Sequence, residues 1–325
     1  MLSAIHQTFG EPAEVLTPGE SPIPEPGPGQ VRIRMILSPI HNHDLWTVRG
    51  SYGYKPELPA IGGSEAMGTV DAIGPGVQGV TPGQRVAVAG VHGAWAEFFL
   101  APATGLVPLP EAISDEQGAQ LVAMPFSALT LLEFLHVQPG DWIIQNTANG
   151  AVGKAVAMLA QARGIHAVNL VRRDAAIAEL AELGIGNAIS TEAEGWQDRV
   201  RALTQGAPIR AGVDSIGGKA AGQILNLLGE DSLLVSFGTM SGGAMEISSG
   251  DLIFKQATVK GFWGSKVSAA MAPADKARLM AELIGLVAQG DLILPVGGIF
   301  GLDRIAEAAT ASLAAGKSGK ILLRP

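Results

Sequence analysis

Two glycines, Gly150 and Gly153, lie in a short segment between an apolar run and a helical pattern. A residue without a side chain at Gly150 lets backbone N–H groups approach a pyrophosphate, and the positive end of the following helix favours that anion. Gly153 allows close contact between the helix and the strand before it. The spacing therefore predicts a dinucleotide-binding loop, with Ala148 in the place of a first glycine. A plain turn is the alternative, because glycine-rich turns are frequent in this chain.

Two arginines follow about twenty residues later, at the end of the next apolar run. A site for NAD usually has a carboxylate there that binds the ribose hydroxyls, whereas Arg172 and Arg173 suit a 2′-phosphate through charge-assisted bonds. Solvated surface charge is the alternative explanation. Asp174 is compatible with NAD, but it also stands where a helix N-cap belongs. The pattern favours NADPH.

The two tyrosines of the chain, Tyr52 and Tyr54, share one glycine-flanked segment. A phenol can donate a hydrogen bond or a proton to a substrate oxygen on which negative charge develops. A tyrosine in a turn is more often a half-buried amphipathic side chain. The residues alone leave both interpretations open.

A catalytic zinc is the competing chemistry. The chain has no cysteine, which removes disulfides and thiolate ligands. His41 and Glu65, with His43 or His92, could be imagined as ligands. Ser64 is a poor substitute for a ligating histidine, so the sequence predicts loop histidines held by hydrogen bonds and no metal.

The elements that must position these residues fall into three segments. Residues 1–122 read as short strands with turns, which predicts an irregular, mostly antiparallel β domain. Residues 123–266 alternate apolar strands with helices, which is typical of a parallel sheet with crossover helices. Residues 267–325 contain two helices, near 275–289 and 305–315, and a last strand. This segment is expected to return to the first.

Composition narrows the function classes. Hydrophobic residues make up 47% of the 325 residues, which is enough to form large buried cores. The net charge is −8, so the composition does not suggest a positively charged surface that would bind nucleic acid or an anionic membrane. No apolar run approaches the length of about 18 residues that a membrane span needs. The first residues lack a signal-peptide pattern, so a cytoplasmic protein is expected.

Several segments together resemble the medium-chain dehydrogenase/reductases, over nearly the whole chain. They are residues 44–50, 62–65, 74–77, 82–86 and 138–141. Within that superfamily the chain is most similar to the mitochondrial trans-2-enoyl thioester reductases. That likeness rests on Gly50-Ser51-Tyr52-Gly53 with 56–60, on 145–146 with 151–153, on 251–255, and on Gly261-Phe262-Trp263. One position departs from it, because Met124 precedes Pro125 where the enoyl reductases have asparagine.

The resemblance implies an α/β fold, with a GroES-like catalytic domain (1–122 and 267–325) and a doubly wound Rossmann domain (123–266). It implies NADPH as cofactor, Tyr52 as a catalytic residue, and a homodimer that pairs strands near 257–262. It also implies a set of cofactor contacts: Asn149, Gly150, Ala151, Val152, Gly153, Arg172, Arg173, Asp174, Phe237, Gly238, Thr239, Met240, Phe262, Trp263, Gly264, Ser265 and Lys320. For Trp263 core packing is the alternative, and for Lys320 a solvated surface position.

The first hypothesis for function is NADPH-dependent reduction of an α,β-unsaturated carbonyl, in particular a 2-enoyl thioester, with Tyr52 as proton donor or substrate orienter. NADPH:quinone reduction is the second. A zinc-type alcohol dehydrogenase and a non-enzymatic NADPH-binding protein are the remaining alternatives. The expected partner is a small-molecule unsaturated carbonyl substrate, either an acyl thioester or a quinone.

Overall fold

The computed structural model describes residues 1–314, 316 and 318–325. The chain divides into two compact units. Unit 1 comprises Met1–Ala123, Ile284–Ala288 and Ile293–Pro325, and unit 2 comprises Met124–Leu283 and Gln289–Leu292.

Strands and helices succeed one another along the described chain as follows. The strands are β1 (Leu2–His6), β2 (Leu16–Glu20), β3 (Gln30–Pro39), β4 (Ala60–Ile61), β5 (Glu65–Ile73), β6 (Arg85–Ala89), β7 (Phe98–Pro102), β8 (Val107–Pro108), β9 (Trp142–Gln145), β10 (His166–Val171), β11 (Ala188–Ser190), β12 (Ile209–Asp214), β13 (Leu233–Ser236), β14 (Thr258–Gly261), β15 (Val296–Gly301) and β16 (Lys320–Arg324). The helices are α1 (Pro12–Val15), α2 (Asn42–Val48), α3 (Asp115–Gly118), α4 (Ala123–Phe134), α5 (Ala151–Ala162), α6 (Ala175–Ala181), α7 (Trp196–Thr204), α8 (Gly218–Leu227), α9 (Ser249–Lys255), α10 (Gly264–Ala270), α11 (Pro273–Gln289) and α12 (Ile305–Leu313), with short 3₁₀ turns at Ala103–Gly105 and Leu302–Arg304.

Unit 1 is built on two sheets. One has the order β2-β1-β4, and the other has the order β15-β16-β3-β5-β6-β8 with β7 also paired to β3. Apart from the parallel pair β15–β16, the pairings are antiparallel, as the sequence predicts. The alternation along β3 places Val31, Ile33 and Met35 in the core. Strand β16 closes against β3, with Leu323 opposite Ser38, so the end of the chain belongs to this sheet.

A fully buried tryptophan fixes the approach to β5. A Cβ atom on Gly63, whose φ is +93°, would lie 2.4 Å from the Trp95 ring, and one on Gly62 would lie 2.3 Å from it. Only glycine fits at these two positions. Because of this contact, Ser64 and the first residue of β5, Glu65, follow Gly63 in a fixed position.

Unit 2 contains a six-stranded sheet in the order β11-β10-β9-β12-β13-β14, and every neighbouring pair is parallel. The order reverses direction after β9, which makes this a doubly wound sheet and confirms the predicted fold class. Helices α5 and α6 are followed by Gly164 and Gly184, both with φ near +70° (+69° and +73°), as expected after helix ends.

The predicted boundary at residue 267 differs from the structure, in which unit 2 continues to Leu283. Helix α11 explains the difference, because Leu279 and Leu283 are buried and Glu282 accepts two hydrogen bonds from Arg163, both at 2.8 Å. Helix α12 ends at Leu313, and Ala315, the predicted end, lies outside the described residues. In the described part of the chain, no helix combines the length and the apolar character needed to cross a membrane.

Candidate active site

The glycine loop of unit 2 has the shape that its spacing predicts. Strand β9 ends at Gln145 and α5 begins at Ala151, with an extended Gly150 at the N-cap and no side chain that caps the helix. The N–H groups of the first helical turn have no intrahelical acceptor and remain for an anion. A Cβ atom on Gly153 would lie 2.6 Å from the Thr147 carbonyl oxygen and 2.7 Å from the Ala148 Cα atom. The loop therefore fits a dinucleotide phosphate.

A buried hydrogen-bond network holds this loop, and sequence reasoning did not find it. The Asn146 amide donates to Asp214, and its oxygen accepts from the Ser215 N–H at 2.7 Å. Asp214 is fully buried and accepts from the Gly217 N–H at 2.9 Å. The turns after β9 and β12 are thus tied together. The only signal in the sequence was a polar residue at the end of each apolar run.

At the end of β10 the two arginines differ. Arg172 is exposed, whereas the Arg173 guanidinium donates to Glu179 Oε1 at 3.0 Å. Glu179 also accepts from the Asn149 side-chain amide of the glycine loop. The pKa of Glu179 is lowered, mainly by the hydrogen bond from Asn149 and in addition by Arg173. Asn149 and Arg173 are therefore linked through one carboxylate.

The capping role expected of Asp174 is wrong. Its φ and ψ are already helical (−58° and −40°), and its side chain makes no capping bond. A capping residue needs extended backbone to turn its side chain back to the helix. The Asp174 N–H instead donates to Glu192 at 3.0 Å.

The segment after β13 curves back over the end of β12. The N–H groups of Phe237 and Gly238 both point to the Asp214 carbonyl oxygen, at 2.8 and 3.3 Å. The Phe237 ring lies 5.8 Å from that of Phe262, which is buried and also meets Phe134 at 5.3 Å. Thr239 and Met240 follow on the exposed surface.

Trp263 is the aromatic residue that this segment exposes. It is 68% exposed, so the core-packing alternative is wrong. It precedes α10, where Gly264 and Ser265 form the first turn. The Phe262 N–H donates to the Ser236 carbonyl oxygen at 2.9 Å, and the expected cofactor contacts of Phe262–Ser265 stay predictions.

In unit 1, Tyr52 is half-buried beside a histidine. Its ring centroid lies 5.7 Å from that of His43, at an interplanar angle of 30°. The preceding Gly50 has φ +73°, and a Cβ atom there would lie 2.9 Å from Phe9. Tyr54 is more exposed and stacks on His92 at 4.1 Å. Two tyrosines of one loop are thus each paired with a histidine from another part of unit 1.

The residues considered as zinc ligands are joined by hydrogen bonds. His41 Nε2 lies 2.6 Å from Glu65 Oε2, and both side chains are buried. Burial raises the pKa of Glu65 to about 7, although the backbone N–H groups of Ala123 and Val122 donate to it and oppose this shift. Burial also lowers the pKa of His41 well below its usual value. Both shifts favour a neutral pair.

Lys320 lies beside this pair. Its ammonium group donates to the Ile40 carbonyl at 3.3 Å, and its charge lowers the pKa of His41 and opposes the rise at Glu65. The structure therefore places Lys320 near His41 and Glu65, and its expected contact with a cofactor stays a prediction.

Ser64 occupies the position that a ligating histidine would need. Its hydroxyl donates to Asp44 at 2.6 Å and contacts His43 Nε2 at 2.8 Å. Among the described residues, no group of three or more His, Cys, Asp and Glu side chains is arranged to hold a metal ion. A metal-free enzyme stays a prediction.

Comparison with known proteins identifies the family of this chain. The model of the alcohol dehydrogenase GroES-like domain matches residues 27–111, and the model named zinc-binding dehydrogenase matches residues 151–282. The human mitochondrial enoyl-[acyl-carrier-protein] reductase is 32% identical over 326 residues, which cover 98% of this chain and 87% of that protein. The chain belongs to the medium-chain dehydrogenase/reductase family. It is an oxidoreductase, as the sequence predicts.

Two solved structures extend this similarity to the whole fold. Quinone oxidoreductase of Escherichia coli, complexed with NADPH, superposes with a TM-score of 0.88 at 25% identity and covers 100% of both chains. A mycobacterial protein complexed with NADPH superposes with a TM-score of 0.87 at 26% identity, again over 100% of both chains.

Proposed function

We propose that this oxidoreductase reduces the C=C bond of a trans-2-enoyl thioester, with NADPH as the source of the hydride. The observation that carries the proposal is the similarity to mitochondrial enoyl-[acyl-carrier-protein] reductases, which spans 98% of the chain in the human case. The half-buried Tyr52, in the segment Gly50-Ser51-Tyr52-Gly53, supports it with a hydroxyl of suitable chemistry.

The reaction asks two things of the protein besides binding. Hydride addition at the β carbon develops negative charge on the thioester oxygen, and the α carbon must then receive a proton. In this proposal the Tyr52 hydroxyl donates a hydrogen bond to the oxygen, or donates the proton. The protein otherwise orients the substrate, because the hydride belongs to the cofactor.

For NADPH, the residues of unit 2 fit a 2′-phosphorylated dinucleotide. The uncapped first turn of α5 would hold the pyrophosphate, with Asn149, Gly150, Ala151, Val152 and Gly153 as the loop contacts. Arg172 and Arg173 would bind the 2′-phosphate, beside Asp174. The segments Phe237–Met240 and Phe262–Ser265, together with Lys320, remain proposed contacts on the strength of the family resemblance.

Quinone reduction is the second candidate, and specific observations favour it. A solved structure similar over the whole chain is an NADPH complex of a quinone oxidoreductase. In addition, Met124 stands where the enoyl reductases have asparagine before a proline. Quinone reduction makes no comparable demand on the Tyr52 hydroxyl.

A homodimer formed through β14 is also proposed. This strand is the last in the sheet of unit 2, and its outer edge has no partner within the described chain. Exposed edges favour pairing with another chain. Phe254 in the preceding helix is 83% exposed and could be covered in such a dimer. Sedimentation velocity would test this, since a mass of one chain (33.4 kDa) would contradict it.

Side-by-side assays of NADPH oxidation test the proposed substrate. We expect turnover with a trans-2-enoyl-CoA ester and formation of the saturated ester, and no turnover with the saturated ester as control. A benzoquinone is assayed at the same concentration. Turnover with the quinone alone would contradict the proposal and favour the second candidate.

A further inference from the structure

Three aromatic rings in unit 1 follow one another from the core to Tyr52. His41 stacks on His43 with centroids 5.0 Å apart and an interplanar angle of 12°. His43 in turn meets Tyr52 at 5.7 Å. We refer to His41, His43 and Tyr52 as the ring series. Its inner end is fixed, because His41 is buried and bonded to Glu65 at 2.6 Å.

The middle ring is fixed by a second chain of hydrogen bonds. The buried Asp44 accepts the His41 backbone N–H at 2.9 Å and the Ser64 hydroxyl at 2.6 Å. The single hydroxyl proton of Ser64 is thus directed to Asp44, so its oxygen can only accept from His43 Nε2 at 2.8 Å. His43 therefore carries a proton on Nε2, and its ring is held by a donor–acceptor chain that ends on a buried carboxylate.

The second tyrosine–histidine pair shows what is particular to this arrangement. Tyr54 and His92 stack more closely, at 4.1 Å, but both are exposed. Among the described residues, no side-chain hydrogen bond ties His92 to a buried group, in contrast to His43. The two pairs have the same residue types, and only one is anchored in the core.

We propose that His43 is a positioning residue for Tyr52, held in one orientation by Ser64 and Asp44. This inference rests on the proposed function, because it assigns His43 a role through the tyrosine that we place in catalysis. Tyr52 lies in a glycine-flanked turn and has the ring of His43 as a fixed surface. Without that surface the phenol can rotate away from the orientation that the reaction needs.

The expected effect of losing His43 follows from that freedom. A catalytic group displaced by about 1 Å can cost about 10²-fold in rate. We expect His43→Ala to lower the kcat of enoyl thioester reduction by at least roughly tenfold, within that limit. NADPH affinity and thermal stability should change little, since His43 is partly exposed and belongs to unit 1. His43→Phe keeps a ring but loses the bond to Ser64, and an intermediate loss is expected.

The test repeats each substitution in a Tyr52→Phe background. If His43 acts through the tyrosine hydroxyl, His43→Ala should cause little further loss once that hydroxyl is absent. A merely structural role would lower kcat by the same factor in both backgrounds, and that result would overturn the proposal. His92→Ala is the matched control and should leave kcat unchanged. Ser64→Ala provides a milder change, with a smaller loss expected that Tyr52→Phe again masks.

The outcomes separate this inference from the proposed function. If Tyr52→Phe alone leaves enoyl reduction unchanged, the proposed role of Tyr52 fails, and His43 has no tyrosine to position. If Tyr52→Phe is impaired while both His43→Ala and Ser64→Ala keep full kcat, only the positioning role is overturned.

Discussion

Glu179 accepts a hydrogen bond from the Arg173 guanidinium at 3.0 Å, at the end of β10 where a 2′-phosphate is expected. A carboxylate at this point holds the arginine in place but also presents a negative charge to the phosphate. Arg172, the other arginine of the pair, is exposed. Arg173 is thus held by a carboxylate, whereas Arg172 is exposed to solvent. We expect the preference for NADPH over NADH to depend on both arginines and on Glu179.

The first prediction concerns the arginines. We expect the protein to bind NADPH more tightly than NADH. Replacing Arg172 and Arg173 together with Ala should raise the Kd for NADPH by roughly 10- to 100-fold, because hydrogen bonds to charged groups contribute about 1.5–3 kcal/mol. The Kd for NADH should stay the same. Fluorescence titration of both cofactors measures this, with Arg201→Ala as an exposed control. Equal affinities in the unmodified protein would contradict the assignment.

The second prediction concerns Glu179 itself. Glu179→Gln keeps the size of the side chain and an oxygen that can accept from Asn149 or Arg173, but removes the negative charge. Removing the repulsion between Glu179 and the 2′-phosphate should improve the binding free energy of NADPH by about 1 kcal/mol or less, as is usual for charges near a solvated surface. NADPH should therefore bind about two- to fivefold more tightly at low salt. The gain should shrink as salt rises. Weaker NADPH binding would instead show that anchoring Arg173 is the larger effect.

The third prediction compares two glycines in helices. Gly153→Ala places a Cβ atom 2.6 Å from the Thr147 carbonyl, so the loop or the helix must move, and both stability and NADPH affinity should fall. Gly285, within α11, has open space at the corresponding point. Gly285→Ala should raise stability by up to about 1 kcal/mol, as expected for a helix interior. Thermal unfolding with and without NADPH measures the stability of both variants. The change in stability must be negative for Gly153→Ala and positive for Gly285→Ala.

The fourth prediction follows from the buried Glu65. Burial raises the pKa of Glu65 to about 7, so the folded protein holds this proton at a pH where the unfolded chain has released it. The contribution of Glu65 to the free energy of unfolding therefore falls as pH rises from the pKa of its carboxyl group in the unfolded chain to about 7. Between pH 6.5 and 8 the lowered pKa of His41 keeps that residue neutral. Within this window, the unmodified protein should lose more stability than Glu65→Gln.

Denaturant unfolding of the unmodified protein and of Glu65→Gln, each at about pH 6.5 and about pH 8, measures this difference. The amide of Glu65→Gln can still accept the N–H bonds of Val122 and Ala123, so the variant is expected to fold. An equal pH dependence in the two proteins would show that Glu65 does not titrate in this range.

The sequence predicts those features that depend on local order. Alternation of apolar residues indicated β3, and the glycine spacing at 150 and 153 indicated the strand–loop–helix of unit 2, because neighbours along the chain determine both. It could not show the pairing of Asn146 with Asp214, since these residues are distant in sequence and meet only through the order of the sheet. The same holds for His43 and Ser64. The local sequence pattern could not predict that Trp263 is exposed either, because the burial of a residue after a strand depends on which other segments pack over it.

The last prediction concerns the tyrosine and separates the two candidate substrates. Tyr52→Phe keeps the ring, and with it the contact to His43, and removes only the hydroxyl. A donor aimed at a developing oxyanion contributes on the order of 10²–10³ in turnover and a general acid about 10²–10⁴, so a loss of at least roughly tenfold is a cautious expectation for enoyl thioester reduction. NADPH affinity and the fold should be unchanged, as titration and circular dichroism can check. Quinone reduction, where present, should change little. Tyr54→Phe, at an exposed ring on His92, is the matched control and should be nearly silent. If Tyr52→Phe reduces enoyl thioesters at the full rate, Tyr52 has no part in the chemistry and quinone reduction becomes the better assignment.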